Sequence, residues 1–291
     1  MSDSPLPDLT QQPLDIQHDP DPAHEVPPAR RIPHLGHALL YFSMSAFAIF
    51  LAMALALTFV HAYSAETAMQ HPFAAALGQV AGYVLTFLIA VPLFPLLWQY
   101  SFVQGIHLNL RAMRLNWWKL VLLGAGASAL AQLVLQYVKQ PEQNDILKLF
   151  ATQTSAWITV LLVVIVAPIA EEVAFRGFLL PSLATAYDWL TMERTPAAVD
   201  RWTQTTAHSN MAWVFATVFS SLAFAALHGP EYSWSVGSLA VLFVASVVFS
   251  LVRIRLRSVA AAVIVHMAYD GLVLLEMIVV TGGFRHLDKL H

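Results

Sequence analysis

The chain has 291 residues, 58% of them hydrophobic and only 11% charged, with a formal net charge of −3 and no cysteine. Soluble globular domains carry about 25% charged residues, so that class is excluded, as are disulfides and thiolate metal sites. No basic run or face stands out, which argues against nucleic acid as a partner and leaves an all-α, polytopic membrane helical bundle.

Residues 1–33 are polar, proline-rich and acidic, with Asp3, Asp8, Asp15, Asp19, Asp21 and Glu25. A secretory signal begins basic and turns apolar at once. This stretch does neither, and it reads as a disordered cytoplasmic tail with too little apolar surface to fold. Seven stretches then reach the ~20 apolar residues that crossing a bilayer requires. They run from about Gly36 to Ala62, Phe73 to Trp98, Trp118 to Val138, Trp157 to Leu180, Met211 to His228, Val236 to Val252, and Val259 to Val280. The fifth and sixth are short, and an eighth helix remains an alternative. Between the fourth and fifth, Ala184 to Met192 reads as a short interfacial helix. The run Gly124 to Ala129 in the third span is a small-residue face for close helix packing.

Lysine and arginine in the short loops set orientation. With the N-terminus inside, ten fall on the cytoplasmic side and four outside, so an N-in, C-out arrangement is expected. The expected organisation is the tail (1–33), N-terminal transmembrane helices (34–150), a transmembrane domain carrying the chemistry (151–283), and a short C-terminal tail (284–291).

Ionisable groups inside a membrane are costly, roughly 3 kcal/mol each on insertion scales, and mark functional sites. In the last four spans they are Glu171, Glu172, Arg176, His228, His266, Asp270 and Glu276. Glu172 and Arg176 are four apart, so they share a helix face and can form an ion pair. Glu171 is rotated about 100° away. Phe224 and His228 are also four apart, as are His266 and Asp270. Three helices thus each project a polar pair toward one interior. A carboxylate beside imidazoles serves as general base on water; His with an acid stabilises an oxyanion; the same groups also suit a zinc ion with an open water position. Spacing alone does not separate these. Glu276 is expected to reach a neighbour rather than the site, and the remaining histidines, His107 and His208 among them, have no partner at ligand spacing.

The order Glu171-Glu172-x-x-x-Arg176, Phe224-x-x-x-His228, His266-x-x-x-Asp270 on successive apolar helices resembles the CPBP family, also called ABI. This is the family of type II CAAX prenyl proteases and bacteriocin-processing or immunity proteins. Arg176-Gly177-Phe178-Leu179 and Ser220-Ser221-Leu222-Ala223-Phe224 add to the likeness. The resemblance covers about Trp157 to Asp270. It implies an intramembrane endopeptidase in a bacterial inner or plasma membrane, acting on a membrane-associated protein or peptide. Glu171 with His228 would activate water, and His266 and Asp270 would complete the site as oxyanion stabilisers or, with Glu171 and His228, as zinc ligands. Glu172, Arg176 and Phe224 would support it. Many relatives carry Asn where this chain has Asp270, and an ionised Asp favours a metal over an oxyanion. The alternatives are a non-catalytic immunity or scaffold protein of the same family, and a proton-coupled transporter.

One difficulty follows from the spans. Glu171 and His266 fall in the cytoplasmic half, whereas His228 ends its helix near the outer face. A shared site requires a break at Pro168, or a fifth helix that ends within the membrane.

Overall fold

A computed structural model describes residues 31–64, 67, 70–138, 149–150 and 152–290, and these fold as helices with no strand among them. The first 30 residues of the expected tail lie outside the described residues. Seven helices are long and apolar enough to cross a membrane. They are α1 (Leu35–Phe59), α2 (Pro72–Trp98), α4 (Leu110–Leu135), α5 (Gln153–Thr191), α7 (Asn210–Leu227), α8 (Val236–Leu256) and α9 (Val259–Val280). Two short helices, α3 (Phe102–Gly105) and α6 (Pro196–Gln204), complete the connections. The protein is an integral, multi-pass membrane protein with an apolar outer belt, in which Leu39, Phe50 and Leu96 are largely exposed. In lipid such a belt carries no hydrophobic penalty.

Local chemistry sets the helix starts. α7, α8 and α9 each begin at a serine whose hydroxyl accepts the backbone N–H three residues on: Ser209 from Ala212, Ser235 from Ser238, and Ser258 from Ala261. Such caps satisfy one of the first unpaired donors of a helix. α2 opens on Pro72, where a missing N–H costs nothing. α8 ends at Arg257, in the left-handed region (φ 46), and Ser258 then starts α9 directly.

The fourth span differs from expectation. It is one helix of 39 residues, and the separate interfacial helix expected near Ala184 is its last third. Neither Pro168 nor Pro181 breaks it. Leu162–Val166 and Val173–Leu179 are π-helical, and α-helical turns follow each. The Ala167 N–H bonds the Leu162 carbonyl and the Leu180 N–H bonds the Phe175 carbonyl, five residues back. Each proline therefore sits just after a turn whose ladder has already shifted, and its absent N–H removes no bond from a regular run. The sixth span also runs further than expected, through Arg253 and Arg255 to Leu256.

α5 and α7 form the centre, with 39% of each span's most apolar stretch buried, against 17–22% for α1, α2 and α4. α1 packs along α2, α4 along α9, and α7 against both α8 and the last third of α5. An aromatic core of Tyr41, Phe94, Trp98, Phe102 and Phe178 joins α1, α2 and α3 to α5. Tyr41 stacks on Phe178 at 4.2 Å between ring centroids.

Only part of the small-residue run in α4 is an interface. Gly124 lies against the Val265 carbonyl and Ala268 of α9, and Ser128 is buried, whereas Gly126 faces open space. Gly124→Leu should lower stability by about 1–3 kcal/mol through overpacking. Gly126→Leu should be near neutral. Thermal unfolding of both in detergent checks the contrast, and equal losses would contradict the assigned face.

Candidate active site

The last third of α5 acts as a ruler for α7. Asp188 accepts from the Ser209 hydroxyl at 2.6 Å and from its backbone N–H at 3.2 Å. This ties the start of α7 to the end of α5. From Asp188 back to Glu171 is 17 positions and from Ser209 to His228 is 19, or about 26 and 28 Å at 1.5 Å per residue. Two helices pinned at one end and running back along each other place Glu171 and His228 level. Of the two arrangements the sequence allowed, the break at Pro168 is absent, and α7 instead ends level with Glu171. Extra length in α5 carries the start of α7 away from Glu171, and no break is needed.

Glu172 and Arg176 are wholly buried. Glu172 Oε1 accepts from Arg176 Nη1 at 2.9 Å and from His266 Nδ1 at 2.9 Å. Arg176 Nη2 donates to the Ser246 carbonyl (2.8 Å) and faces the Ser246 hydroxyl (2.7 Å) on α8. Its backbone carbonyl accepts from Arg253 Nε at 3.2 Å. The guanidinium carbon lies 4.9 Å from the Phe224 ring centroid and 5.3 Å from that of Phe249, within cation–π range. One carboxylate and one guanidinium thus link α5, α8 and α9.

Glu171 faces the other way, into a polar recess. Its Oε2 is 3.9 Å from His228 Nε2 and 3.9 Å from His266 Nε2. Both separations are too long for a direct hydrogen bond and leave room for a bridging group. His228 Nδ1 donates to the Phe224 carbonyl at 2.9 Å. A carbonyl only accepts, so in the neutral ring the free lone pair is on Nε2, toward Glu171. His266 donates from Nδ1 to Glu172, and its Nε2 is 3.3 Å from Asp270 Oδ2. Phe249 stacks on the His266 ring at 4.6 Å, and Phe224 lies edge-on to it at 5.8 Å. All seven residues singled out in the sequence come together here: Glu171, Glu172, Arg176, Phe224, His228, His266 and Asp270.

The donors are of the kind zinc accepts, with imidazole nitrogens and carboxylates. Among the described residues, however, no group of three or more His, Cys, Asp or Glu has the arrangement that holds a metal ion. Glu276 meets Gln132 of α4 at 3.5 Å, away from this cluster.

Four contributors escaped sequence reading. Ser246 and Phe249 come from α8, where Ser246, Ser250 and Arg253 form a polar stripe at helical spacing that marks an inward face. Glu231, just after α7, lies near enough to His228 and Asp270 for their charges to act on it. Desolvation raises its carboxyl above the ordinary range, His228 opposes this, and Asp270 adds to it. His208, which had no partner at sequence spacing, has one across space, Asp188 at 2.9 Å.

Residues 153–272 match the family model described as Type II CAAX prenyl endopeptidase Rce1-like. No curated protein and no solved structure matched the chain. The matched segment opens with α5 and closes two residues beyond Asp270, so it encloses the whole cluster.

Removing one partner of a buried ion pair costs about 3–5 kcal/mol, whereas replacing both is much milder. Arg176→Met should destabilise by that amount. The pair Glu172→Gln with Arg176→Met should recover part of the loss in a double-mutant cycle read by thermal unfolding. Strict additivity would show that the two side chains do not act as a unit.

Proposed function

We propose that this chain, a member of the CPBP family of CAAX proteases through residues 153–272, is an intramembrane endopeptidase that uses Glu171 as the base on water. One observation carries the reading: Glu171 Oε2 stands 3.9 Å from two imidazole nitrogens on two other helices. A water between Glu171 and His228 would donate one proton to the carboxylate and be held by the Nε2 lone pair. Attack of its oxygen on the scissile carbonyl carbon forms a tetrahedral oxyanion. His266, as the imidazolium that donates from Nδ1 to Glu172, donates from Nε2 to that oxyanion. Collapse breaks the C–N bond, and the proton on Glu171 passes to the leaving nitrogen. The products are one free carboxylate and one free amine.

Asp270 serves here as the partner that orients His266 Nε2 before substrate arrives. Glu172 and Arg176 act through His266 and through the helix positions, not on substrate. Phe224 shapes the wall and supplies the carbonyl that orients His228. Were zinc bound, Glu171, His228, His266 and Asp270 would be the side chains to hold it, and it would supply a Lewis acid for the same water.

A membrane-anchored reporter cleaved in cells tests the proposal. Glu171→Gln should lower cleavage by about 10²–10⁴-fold, the range for loss of a general base, with His228→Ala similarly impaired. Both proteins should accumulate normally, since neither side chain bridges helices by a direct hydrogen bond. Wild-type cleavage by Glu171→Gln would reject the peptidase reading in favour of a binding or scaffold role.

Zinc dependence has its own readout in the purified protein. Activity should persist in 1,10-phenanthroline, and Asp270→Asn should remain active. Loss in the chelator, restored by added zinc, would move Glu171, His228, His266 and Asp270 from base and orienting roles to metal ligands.

A further inference from the structure

A second polar site lies at the Asp188 end of the bundle, apart from the Glu171 cluster. It is a cavity of about 670 Å³, within the usual range for small-molecule and cofactor pockets. Pro181 of α5, the segment Tyr100 to His107, the start of α7 and the end of α8 enclose it. Arg31, Arg253, Arg257, His107 and His208 line it, and no aspartate or glutamate is among its lining residues.

Two of these groups are already engaged. Arg31 donates to the Ala207 carbonyl at 3.0 Å and lies over the Trp202 ring at 3.8 Å. His208 holds Asp188, whose oxygens also accept from Ser209. Asp188 also stands 4.0 Å from Arg31, so it is spent on the start of α7 and on that guanidinium. Arg253 differs. Its side chain is buried, at 4% exposure for the residue, and its hydrogen bond to the Arg176 carbonyl uses Nε alone. Its two terminal nitrogens have no hydrogen-bond partner among the described residues, and Arg257 stands beside it on the same cavity. Arg253 is the buried charge and Arg257 the exposed one, and an anion between them would neutralise both. The same field acts on His107, which is held down at about 4 by burial first, and then by Arg253, Arg257 and His208.

We propose that this cavity binds a phosphate group, presented as the headgroup of an anionic lipid. Guanidinium forks match phosphate oxygens in pairs. Two arginines with a histidine nearby suit a phosphate better than the single charge of a peptide carboxylate. The volume admits a substituted headgroup rather than a bare ion. Tyr100 and Trp213 on the wall are the aromatic types found at headgroup level, and basic pockets between membrane helices bind such groups. Arg253 also holds the carbonyl of Arg176, one turn past Glu172, so an anion there would brace the helix that carries Glu171.

The test follows thermal unfolding of the full-length protein in nonionic detergent. It compares added dioctanoyl phosphatidylglycerol, dioctanoyl phosphatidylcholine, sodium phosphate, and a short apolar peptide with a free C-terminal carboxylate. Phosphatidylglycerol should raise the midpoint by several degrees, as expected for a ligand well above its Kd, and phosphatidylcholine should not. Arg257→Gln, at an exposed position, should fold normally and lose at least half the shift. His107→Asn, which keeps a residue tolerant of the left-handed backbone there (φ 58), should also reduce it. A shift with sodium phosphate of equal size would keep the phosphate site and make free phosphate its source. The proposal is overturned by equal shifts in wild type and Arg257→Gln, by equal shifts with both lipids, by no shift with any phosphate, or by a shift with the peptide alone.

Discussion

The architecture depends on the Glu172 carboxylate. Its one bonded oxygen receives Arg176 from its own helix and His266 from α9, while Arg176 goes on to Ser246 of α8. In hydrocarbon neither charge is tolerable alone, and few alternative arrangements satisfy both. The pair therefore works as a registration pin, which holds three helices at one depth and one rotation. It also turns the His266 ring, because the nitrogen that donates to Glu172 leaves the other facing Glu171.

Adjacent glutamates come to differ through helical geometry. A rotation of about 100° per residue sends Glu172 into the protein and Glu171 toward the recess. The first is enclosed and bonded, whereas the second stays partly accessible, at 15% side-chain exposure, with imidazoles just beyond bonding distance. Aromatic rings fill the ground between them. Phe224 and Phe249 contact both the Arg176 guanidinium and the His266 ring, which keeps the ion pair dry and the imidazole steady. The π-helical turns belong to the same design, since they let α5 pass two prolines and continue to Asp188, where α7 is anchored.

Much of this was legible in the chain itself. Charge depletion gave the membrane class, apolar run length gave seven spans, and the three i, i+4 pairs identified which residues face the interior. These follow from short-range rules: helix periodicity, the length needed to span lipid, and the cost of burying charge. The same rules separated Glu172 with Arg176 from Glu171, because only the former pair has a partner on its own face.

Only the tertiary structure decided what depends on contacts between distant segments. Hydropathy by itself set His228 apart from Glu171, because nothing local reveals that Asp188 ties down Ser209, or that two prolines fit inside a 39-residue helix. Ser246 and Phe249 looked like ordinary members of an apolar span until α8 was set against α5. His107, Arg253 and Arg257 come from a connection and a helix end about 150 residues apart, and they became one cavity only through packing. Periodicity says which way a side chain points on its own helix. Which helix it then meets, and at what height, is set by the buried ion pair and by the lengths of the helices around it.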